Sequence, residues 1–263
     1  MHEFAFIFAG FAVGLVVGLT GVGGGSLMTP ILIFVFGIKP HLAIGTDLLF
    51  AAFTKMGGTV SLARARIVDW RIVGQVAAGS LPASLVTLYV LHRLGPANPA
   101  TQTVMTTTLG LALLLTAGAT FYKVLRGKAV PLVIAPELIS QATRARHWAL
   151  PVLFGAVIGT LVTITSVGAG AIGVIVLMML YPALPLPRIV AADIAHAVPL
   201  TLVAGLGHAS IGSVDWPLLL KLLAGSLPGI WLGTQLMRKT PDRVIRSLLS
   251  ALLAYAGVKL ISI

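Results

Sequence analysis

Residues 21–25 read Gly-Val-Gly-Gly-Gly and residues 166–170 read Ser-Val-Gly-Ala-Gly, and each run interrupts a charge-free apolar stretch. The first stretch extends from Phe4 to Phe36 and the second from Trp148 to Leu184. One membrane span takes about 20 apolar residues, and glycine clusters destabilise a helix. The pattern therefore predicts a break in each stretch. Three arrangements remain open: one long tilted helix, a pair of short spans, or a hairpin that enters and leaves on one side.

The composition of the whole chain restricts the class of protein. Of 263 residues, 57% are hydrophobic and 10% are charged, and the mean hydropathy is +1.02. Soluble globular proteins carry about 25% charged residues, so a soluble domain, a disordered chain, a coiled coil and a nucleic-acid-binding protein are all excluded. The absence of cysteine excludes disulfides, thiol catalysis and cysteine metal sites. A polytopic membrane protein is the class that fits.

Three further apolar segments of span length follow each broken stretch. They are Leu42–Ala63, Ile72–Leu91 and Thr101–Tyr122, and then Ile189–Ala209, Trp216–Met237 and Val244–Ile263. Long apolar segments of this kind predict helices, because a helix satisfies its own backbone hydrogen bonds in lipid. The predicted fold is an all-α membrane protein with a first repeat at residues 1–122, a basic connector at 123–147 and a second repeat at 148–263.

Matching residues show that the two halves are copies of one another. Asp47 matches Asp193, Val68-Asp69-Trp70 matches Val214-Asp215-Trp216, and Gly79-Ser80-Leu81-Pro82 matches Gly225-Ser226-Leu227-Pro228. All three pairs are separated by the same number of positions, and the two glycine runs match at nearly that separation. A single tripeptide could recur by chance, but three in register indicate a duplication.

The distribution of Lys and Arg predicts how the copies are oriented. If each broken stretch crosses twice, or returns without crossing, the halves are inverted and one side holds most of the basic residues. That side has Arg64, Arg66, Arg71, Lys123, Arg126, Lys128, Arg144, Arg146, Arg188, Arg238, Lys239, Arg243 and Arg246. The other side has Lys39 and Arg93, with Lys259 near the end. If each stretch crosses once, the two sides are nearly equal. Because basic loops lie in the cytoplasm, we expect inverted repeats with both termini outside and a cytoplasmic connector.

Inverted repeats with interrupted helices are typical of secondary transporters. A helix that starts inside the membrane presents unpaired N–H groups and partial positive charge, which suits an anion. The residues expected to open the second half-helices are Gly25, Ser26 and Leu27 in one copy and Gly170, Ala171 and Ile172 in the other. Thr163, Thr165 and Ser166 add hydroxyl donors. The alternative is that these glycines only allow close helix packing, as small residues commonly do in membranes.

Several of these motifs resemble the TauE/SafE sulfite exporter family. The resemblance rests on Gly21-x-Gly-Gly-Gly with Pro30, Gly45-Thr46-Asp47, Val68-Asp69-Trp70, and Gly207-His208 followed by Val214-Asp215-Trp216. It covers both halves and implies ion-coupled transport of a sulfur-containing anion, such as sulfite or the sulfonate sulfoacetate, across a bacterial cytoplasmic (inner) membrane. Two positions depart from the family pattern: Asp47 stands where the family often has Ser or Asn, and the second glycine run is diluted by Ala169.

Together, the breaks, the intramembrane charges and the resemblance provide a set of candidate residues for binding substrate. They are Gly23, Gly24, Gly25, Ser26, Thr46, Lys55, Thr165, Ser166, Gly168, Gly170 and His208. For Lys55 the alternative is a side chain that reaches towards the membrane surface. His208 ends a predicted span and could line an outer vestibule.

Asp47, Asp193 and His196 are the candidates for proton coupling. Ionisable residues within a span are costly and therefore functional candidates, and a carboxylate removed from water holds a proton more readily. His196 lies three residues after Asp193, on the same helical face, and could share or relay its proton. The alternative is that both aspartates bind free backbone N–H groups near the breaks and have no role in transport.

The remaining motifs indicate structure rather than chemistry. Asp69-Trp70 and Asp215-Trp216 stand where loops meet spans, so Asp is expected to cap a helix and Trp to lie at the membrane surface. No phosphate-binding loop and no His-Glu-x-x-His zinc motif is present in the sequence, and we expect no cofactor and no enzymatic activity.

Two other functions remain compatible with the sequence. The chain could be an ion-coupled carrier of a cation or neutral solute that uses Asp47 and Asp193 to bind its cargo, or a membrane subunit that does not transport. The expected partners are a small anion, a coupling ion (a proton), and membrane lipids, with a homodimer also compatible and no nucleic acid.

Overall fold

A computed structural model describes residues 2–20, 25–126, 148–168, 170–236 and 242–261. These ranges contain ten helices and no strand, which confirms the all-helical prediction. The helices are α1 (His2–Thr20), α2 (Gly25–Phe34), α3 (Pro40–Arg64), α4 (Trp70–Leu94), α5 (Pro99–Arg126), α6 (Ala149–Thr165), α7 (Ala171–Leu180), α8 (Leu186–Ser210), α9 (Trp216–Leu236) and α10 (Asp242–Ile261). Helices α1–α5 belong to the first copy, and α6–α10 are their counterparts in the second. The predicted connector begins inside α5, and residues 127–147 lie outside the described ranges.

Four of these helices are long and apolar enough to cross a membrane. They are α4, α8, α9 and the part of α5 from Pro99 to Phe121. Large apolar side chains on all four are exposed, such as Leu220 on α9, which is 67% exposed. Helix α3 has 25 residues but carries Asp47 and Lys55, and it does not belong to this group. The chain is therefore a membrane protein, although the sequence predicted six spans after the breaks.

Both broken stretches form two separate helices in the structure. The first stretch gives α1 and α2, and the second gives α6 and α7. Helices α2 and α7 have 10 residues each, which is about 15 Å, half of a hydrocarbon layer about 30 Å thick. A single long tilted helix is therefore wrong for both stretches. Residues 21–24, which include Gly23 and Gly24, lie outside the described part of the chain.

Closely packed parallel helices join the two copies. Gly10 and Gly14 of α1 lie directly against the backbone carbonyls of Leu222 and Ser226 in α9. Because both positions advance by four residues, α1 and α9 run in the same direction. A Cβ atom at either glycine would collide with the α9 backbone, so glycine is needed for this approach.

The counterpart pair, α6 and α4, packs in the same way. Gly155 and Gly159 of α6 lie against the carbonyls of Val76 and Ser80 in α4. The first helix of each copy thus packs on the penultimate helix of the other copy, and the two halves are not separate packing units.

Two other pairs join counterpart helices, and both pairs are antiparallel. In α3 and α8, Gly45 lies beside His208, while Leu49 lies beside Gly205. Since the residue numbers along α3 increase while those of their neighbours along α8 decrease, these helices run in opposite directions. Helices α5 and α10 do the same: Gly110 lies beside Gly257, and the hydroxyl of Ser250 donates to the Ala117 carbonyl at 2.8 Å.

Candidate functional site

Asp47 lies at the centre of the candidate site, where it joins both broken stretches. Its side chain is fully buried in α3. The Oδ2 atom accepts hydrogen bonds from the hydroxyl of Thr29 in α2 and from that of Ser166 after α6, the latter at 3.0 Å. The Oδ1 atom is also buried and has no hydrogen-bond partner. One carboxylate therefore contacts both interrupted elements and keeps one oxygen unsatisfied.

Lys55 lies two turns after Asp47 on the same helix. It is 7% exposed, so it does not extend its charge into water at the membrane surface. The ammonium interacts electrostatically with the carboxylates of Asp193 and Asp47. Buried charges need partners of opposite sign, and Lys55 provides a partner shared by the two copies.

Asp193 occupies the matching position on α8 and has different surroundings. It is 4% exposed. Gly173 of α7 lies so close that a Cβ atom there would overlap the Oδ1 atom of Asp193. The carboxylate thus packs directly on the backbone of the short helix α7.

His196 connects this group to α4. It is 3% exposed, and its Nε2 atom lies 2.7 Å from the hydroxyl oxygen of Ser80. Asp47, Lys55, Asp193 and His196 are therefore all buried, on two helices that pack against each other.

The break between α6 and α7 has the backbone of an interrupted helix. Ser166 adopts a left-handed conformation with φ of 60° at the end of α6, and Gly168 and Gly170 have φ of 134° and 127°. Other residues rarely adopt such values. Gly170 is the N-cap of α7 and makes no side-chain cap, so the first N–H groups of α7 receive no cap from that residue.

Thr165, the last residue of α6, is buried at the break. Its hydroxyl lies 2.7 Å from the Leu161 carbonyl and accepts from the N–H of Val167 at 3.1 Å. This hydroxyl therefore stabilises the break. In the other copy, Gly25 begins α2, and the side chain of Ser26 lies outside the described atoms.

Two predicted residues lie elsewhere, near the loop between α8 and α9. The Thr46 hydroxyl accepts from the N–H of Asp215 at 3.0 Å. His208 is fully buried, and its Nε2 atom lies 2.9 Å from the Thr163 carbonyl. Because a carbonyl only accepts, Nε2 carries the hydrogen, while Nδ1 is buried with no hydrogen-bond partner. His208 thus faces protein rather than an open vestibule.

The structure confirms the capping role of the two aspartates at loop-to-span junctions. Asp69 accepts from the N–H groups of Arg71 and Ile72, and Asp215 accepts from the N–H of Leu218 at 3.0 Å. Asp47, in contrast, lies inside α3 rather than at its start. Within the described ranges, no three His, Asp or Glu side chains are grouped as metal ligands.

Thr29 and Ser80 contact Asp47 and His196, but the sequence did not predict them as members of the site. Ser80 lies in the repeated Gly-Ser-Leu-Pro motif, which was a signal for it. Thr29 had no such signal, because the matching position in the second copy is Val174.

Comparison with known proteins gives a match over nearly the whole chain. Residues 6–260 match the family described as Sulfite exporter TauE/SafE. The chain is similar to the Probable membrane transporter protein YjnA of Bacillus subtilis, with 34% identity over 97% of this chain and 98% of that protein. It is also similar to the Probable membrane transporter protein YdhB of the same organism, with 28% identity over 95% and 97% of the two chains. The Probable membrane transporter protein MJ0441 of Methanocaldococcus jannaschii is 23% identical over 96% and 92%. No solved structure matches the chain.

Proposed function

Because the chain belongs to the TauE/SafE sulfite exporter family of membrane transporters, we propose that it moves a small sulfur-containing anion, such as sulfite or sulfoacetate, across the bacterial cytoplasmic membrane. Its relatives are named as transporters and not as enzymes. The observation that carries the proposal is the buried Asp47 carboxylate, which accepts hydrogen bonds from both interrupted elements. A proton gradient is the proposed driving force.

The proposed architecture is a pair of inverted repeats in which each broken stretch is a hairpin. The loop that leads into α9 contacts the start of α3 through Ser213 and Asp215, so α3 and α9 begin at the same end of the molecule. Helix α1 is parallel to α9 and begins there too, while α2 leads back to that end before α3. The antiparallel pairing of α3 with α8, and of α5 with α10, supports inversion because these helices are counterparts.

The charge distribution supports an orientation for this architecture. With hairpins in place, α3 ends at Arg64 on the side where α5 leads into the basic connector. Since basic loops remain in the cytoplasm, that side is proposed to be cytoplasmic and both termini periplasmic.

The proposed substrate site lies between the two breaks, near the middle of the membrane. Helix α7 begins there without a side-chain cap from Gly170, and helix N-termini bind anions through N–H groups and the helix dipole. The Ser166 hydroxyl lies at the same break, and Lys55 supplies positive charge. Gly23, Gly24, Gly25 and Ser26 are proposed to provide the matching surface from the other copy.

Proton coupling is proposed for the buried group of Asp47, Asp193 and His196, which takes up one proton. Burial disfavours a charged carboxylate, and two carboxylates that share one lysine leave an excess of negative charge when all are ionised. A proton taken up at the site removes that excess, so an anion can enter. His196, one turn after Asp193, is proposed to relay the proton within this group.

The unpartnered Oδ1 atom of Asp47 also favours a second candidate function. A bare carboxylate oxygen could bind a cationic cargo directly, so a carrier of cations is the alternative.

Purified protein in proteoliposomes separates the two functions. We expect labelled sulfite or sulfoacetate outside to exchange with unlabelled anion inside, and to accumulate when the pH gradient is imposed. Vesicles without protein provide the control. Exchange of labelled monovalent cations with no anion flux would favour the alternative and exclude the anion carrier.

A further inference from the structure

We propose that the two matching aspartates have different tasks: Asp47 alone exchanges the coupling proton and transmits its charge to both broken stretches, whereas Asp193 is the fixed counter-charge of Lys55. This inference rests on the proposed function. The duplication alone would predict the same role for both aspartates, whereas the inference gives proton exchange to Asp47 only.

The hydrogen bonds of Asp47 suit a group that changes its charge. Oδ2 accepts from Thr29 and Ser166, while Oδ1 is buried and bare. A proton on Oδ1 removes the charge on that oxygen, and its loss leaves a carboxylate that attracts both hydroxyls more strongly. Because one hydroxyl belongs to α2 and the other to the break after α6, a change at Asp47 acts on both breaks at once.

The surroundings of Asp193 suit a group that keeps its charge. Its carboxylate packs against Gly173 with no room for a Cβ atom between them. Lys55 is also buried and interacts electrostatically with this carboxylate. A carboxylate held by steric contact and by a buried ammonium is costly to neutralise, since the lysine would lose its partner.

The two hydroxyls that bond Asp47 have no counterparts at the matching positions of the sequence. The positions that match Thr29 and Ser166 are Val174 and Gly21, neither of which has a hydroxyl. The position that matches Lys55 is Thr201. The duplication has therefore preserved both carboxylates but not the residues Thr29, Ser166 and Lys55.

Few other ionisable groups face Asp47. Helices α2 and α6 carry none, and α9 carries Lys221 as its one such residue. In α5 the ionisable residues Tyr122, Lys123 and Arg126 are confined to the far end. Helix α8 carries Arg188, Asp193, His196 and His208, and α3 itself carries His41, Lys55 and Arg64. Asp215, just before α9, donates its N–H to Thr46. Among these groups, Lys55 and Asp193 are the charged side chains that are buried.

The first test compares Asp47→Asn with Asp193→Asn in proteoliposomes. The readout is the ratio of uptake driven by a pH gradient to exchange of the anion without a gradient. Asparagine resembles the protonated acid, so we expect Asp47→Asn to lower this ratio at least tenfold. Folded Asp193→Asn protein should stay within about threefold of the wild-type ratio. Equal losses in both variants, or a loss confined to Asp193→Asn, would overturn the proposal.

The second test measures folded protein rather than transport. Asp193→Asn leaves the Lys55 ammonium without its proposed counter-charge, so the yield of monodisperse protein in detergent should fall at least fivefold. The double variant Lys55→Met with Asp193→Asn should restore most of that yield. If Lys55→Met instead restores the yield of Asp47→Asn protein, Asp47 rather than Asp193 is the counter-charge of Lys55, and the proposal is wrong.

The third test needs no substrate. Dicyclohexylcarbodiimide enters membranes and modifies protonated carboxylic acids, and peptide mass spectrometry locates the modified residue. We expect modification of Asp47 that decreases as pH rises, and at least tenfold less at Asp193. Modification of Asp193 in preference, of both equally, or of neither contradicts the proposal. If the wild type moved no anion, the proposed function would fail while this result still decided the roles of the two aspartates.

Discussion

Gly173 has no side chain, and this leaves room for the carboxylate of Asp193. A Cβ atom there would overlap the Oδ1 atom of Asp193, and that carboxylate is buried. We expect Gly173→Ala to lower the free energy of unfolding by about 1–3 kcal/mol, as overpacking typically does, and to reduce transport. Thermal unfolding in detergent measures the first effect and proteoliposome uptake the second.

Gly57→Ala is the matched control for this change. Gly57 also lies inside a helix, α3, but nothing lies within 4 Å of a Cβ atom added there. Alanine favours a helix over glycine by up to about 1 kcal/mol, so this variant should be neutral or slightly stabilised. If Gly173→Ala is as stable to thermal unfolding as Gly57→Ala, Asp193 does not pack closely on α7.

His208 allows a structural role to be separated from a role in binding. His208→Ala removes the partner of the buried Thr163 carbonyl, which should cost about 1–3 kcal/mol of unfolding free energy. His208→Gln can place an N–H group near the position of Nε2, and we expect it to recover most of that loss in a thermal unfolding assay. His92→Ala, at an exposed position of α4, is the control. A His208→Gln protein with normal stability and no transport would instead assign His208 to substrate binding.

At the scale of single residues, the sequence predicted the ionisable members of the site better than their partners. A charged side chain within a span is visible in the sequence because of its cost, as for Asp47 and Lys55. The hydroxyl of Thr29 carries no such cost, and threonines are frequent in these helices. Its importance depends on which helices meet, so it could not be predicted before the packing was known.

The glycine contacts of α1 and α6 make a prediction at the scale of helices. Gly14 and Gly159 occupy equivalent positions, the first against Ser226 and the second against Ser80. Alanine at either position would press on a rigid backbone, so each variant should lose about 3 kcal/mol of unfolding free energy, the upper end for overpacking. Equal losses at both positions, measured by thermal unfolding, are expected from a duplication.

Gly118→Ala in α5 is the control for this pair, because no atom lies within 4 Å of an added Cβ atom there. A large loss of unfolding free energy at one glycine with none at its counterpart would show that the two helix pairs are packed differently.

The helices themselves were mostly predictable from hydropathy. The predicted spans Ile72–Leu91 and Ile189–Ala209 lie within α4 and α8, and both stretches broken by glycine are divided into two helices. What hydropathy could not predict was the direction of each short helix. That direction depends on contacts such as Gly173 with Asp193, between elements that are separate in sequence.

At the scale of the whole molecule, the duplication was visible in the sequence but the exchange of helices between copies was not. A row of glycines such as Gly10 and Gly14 indicates a close neighbour without identifying it. The structure shows that this neighbour is α9 of the other copy. Neither half can therefore bury its first helix without the other, and the site between them forms only in the complete chain.

The inverted arrangement makes a prediction about the two faces of the membrane. Ser61 and Ser210 are exposed near the ends of α3 and α8, which are antiparallel counterparts. The chain has no cysteine, so each single-cysteine variant carries one reactive thiol. In intact cells we expect a membrane-impermeant maleimide to label Ser210→Cys and not Ser61→Cys, which should react only after the membrane is opened.

Ala97→Cys tests the same arrangement from an independent position. Ala97 is exposed in the loop between α4 and α5, and because α4 returns to the side on which α3 began, this thiol should react together with that of Ser210→Cys. Parallel copies would instead place Ser61 and Ser210 on one face, so that both thiols react in intact cells or neither does. That result would leave the two breaks without a shared pocket, because hairpins that enter from the same side cannot approach each other from opposite halves of the membrane.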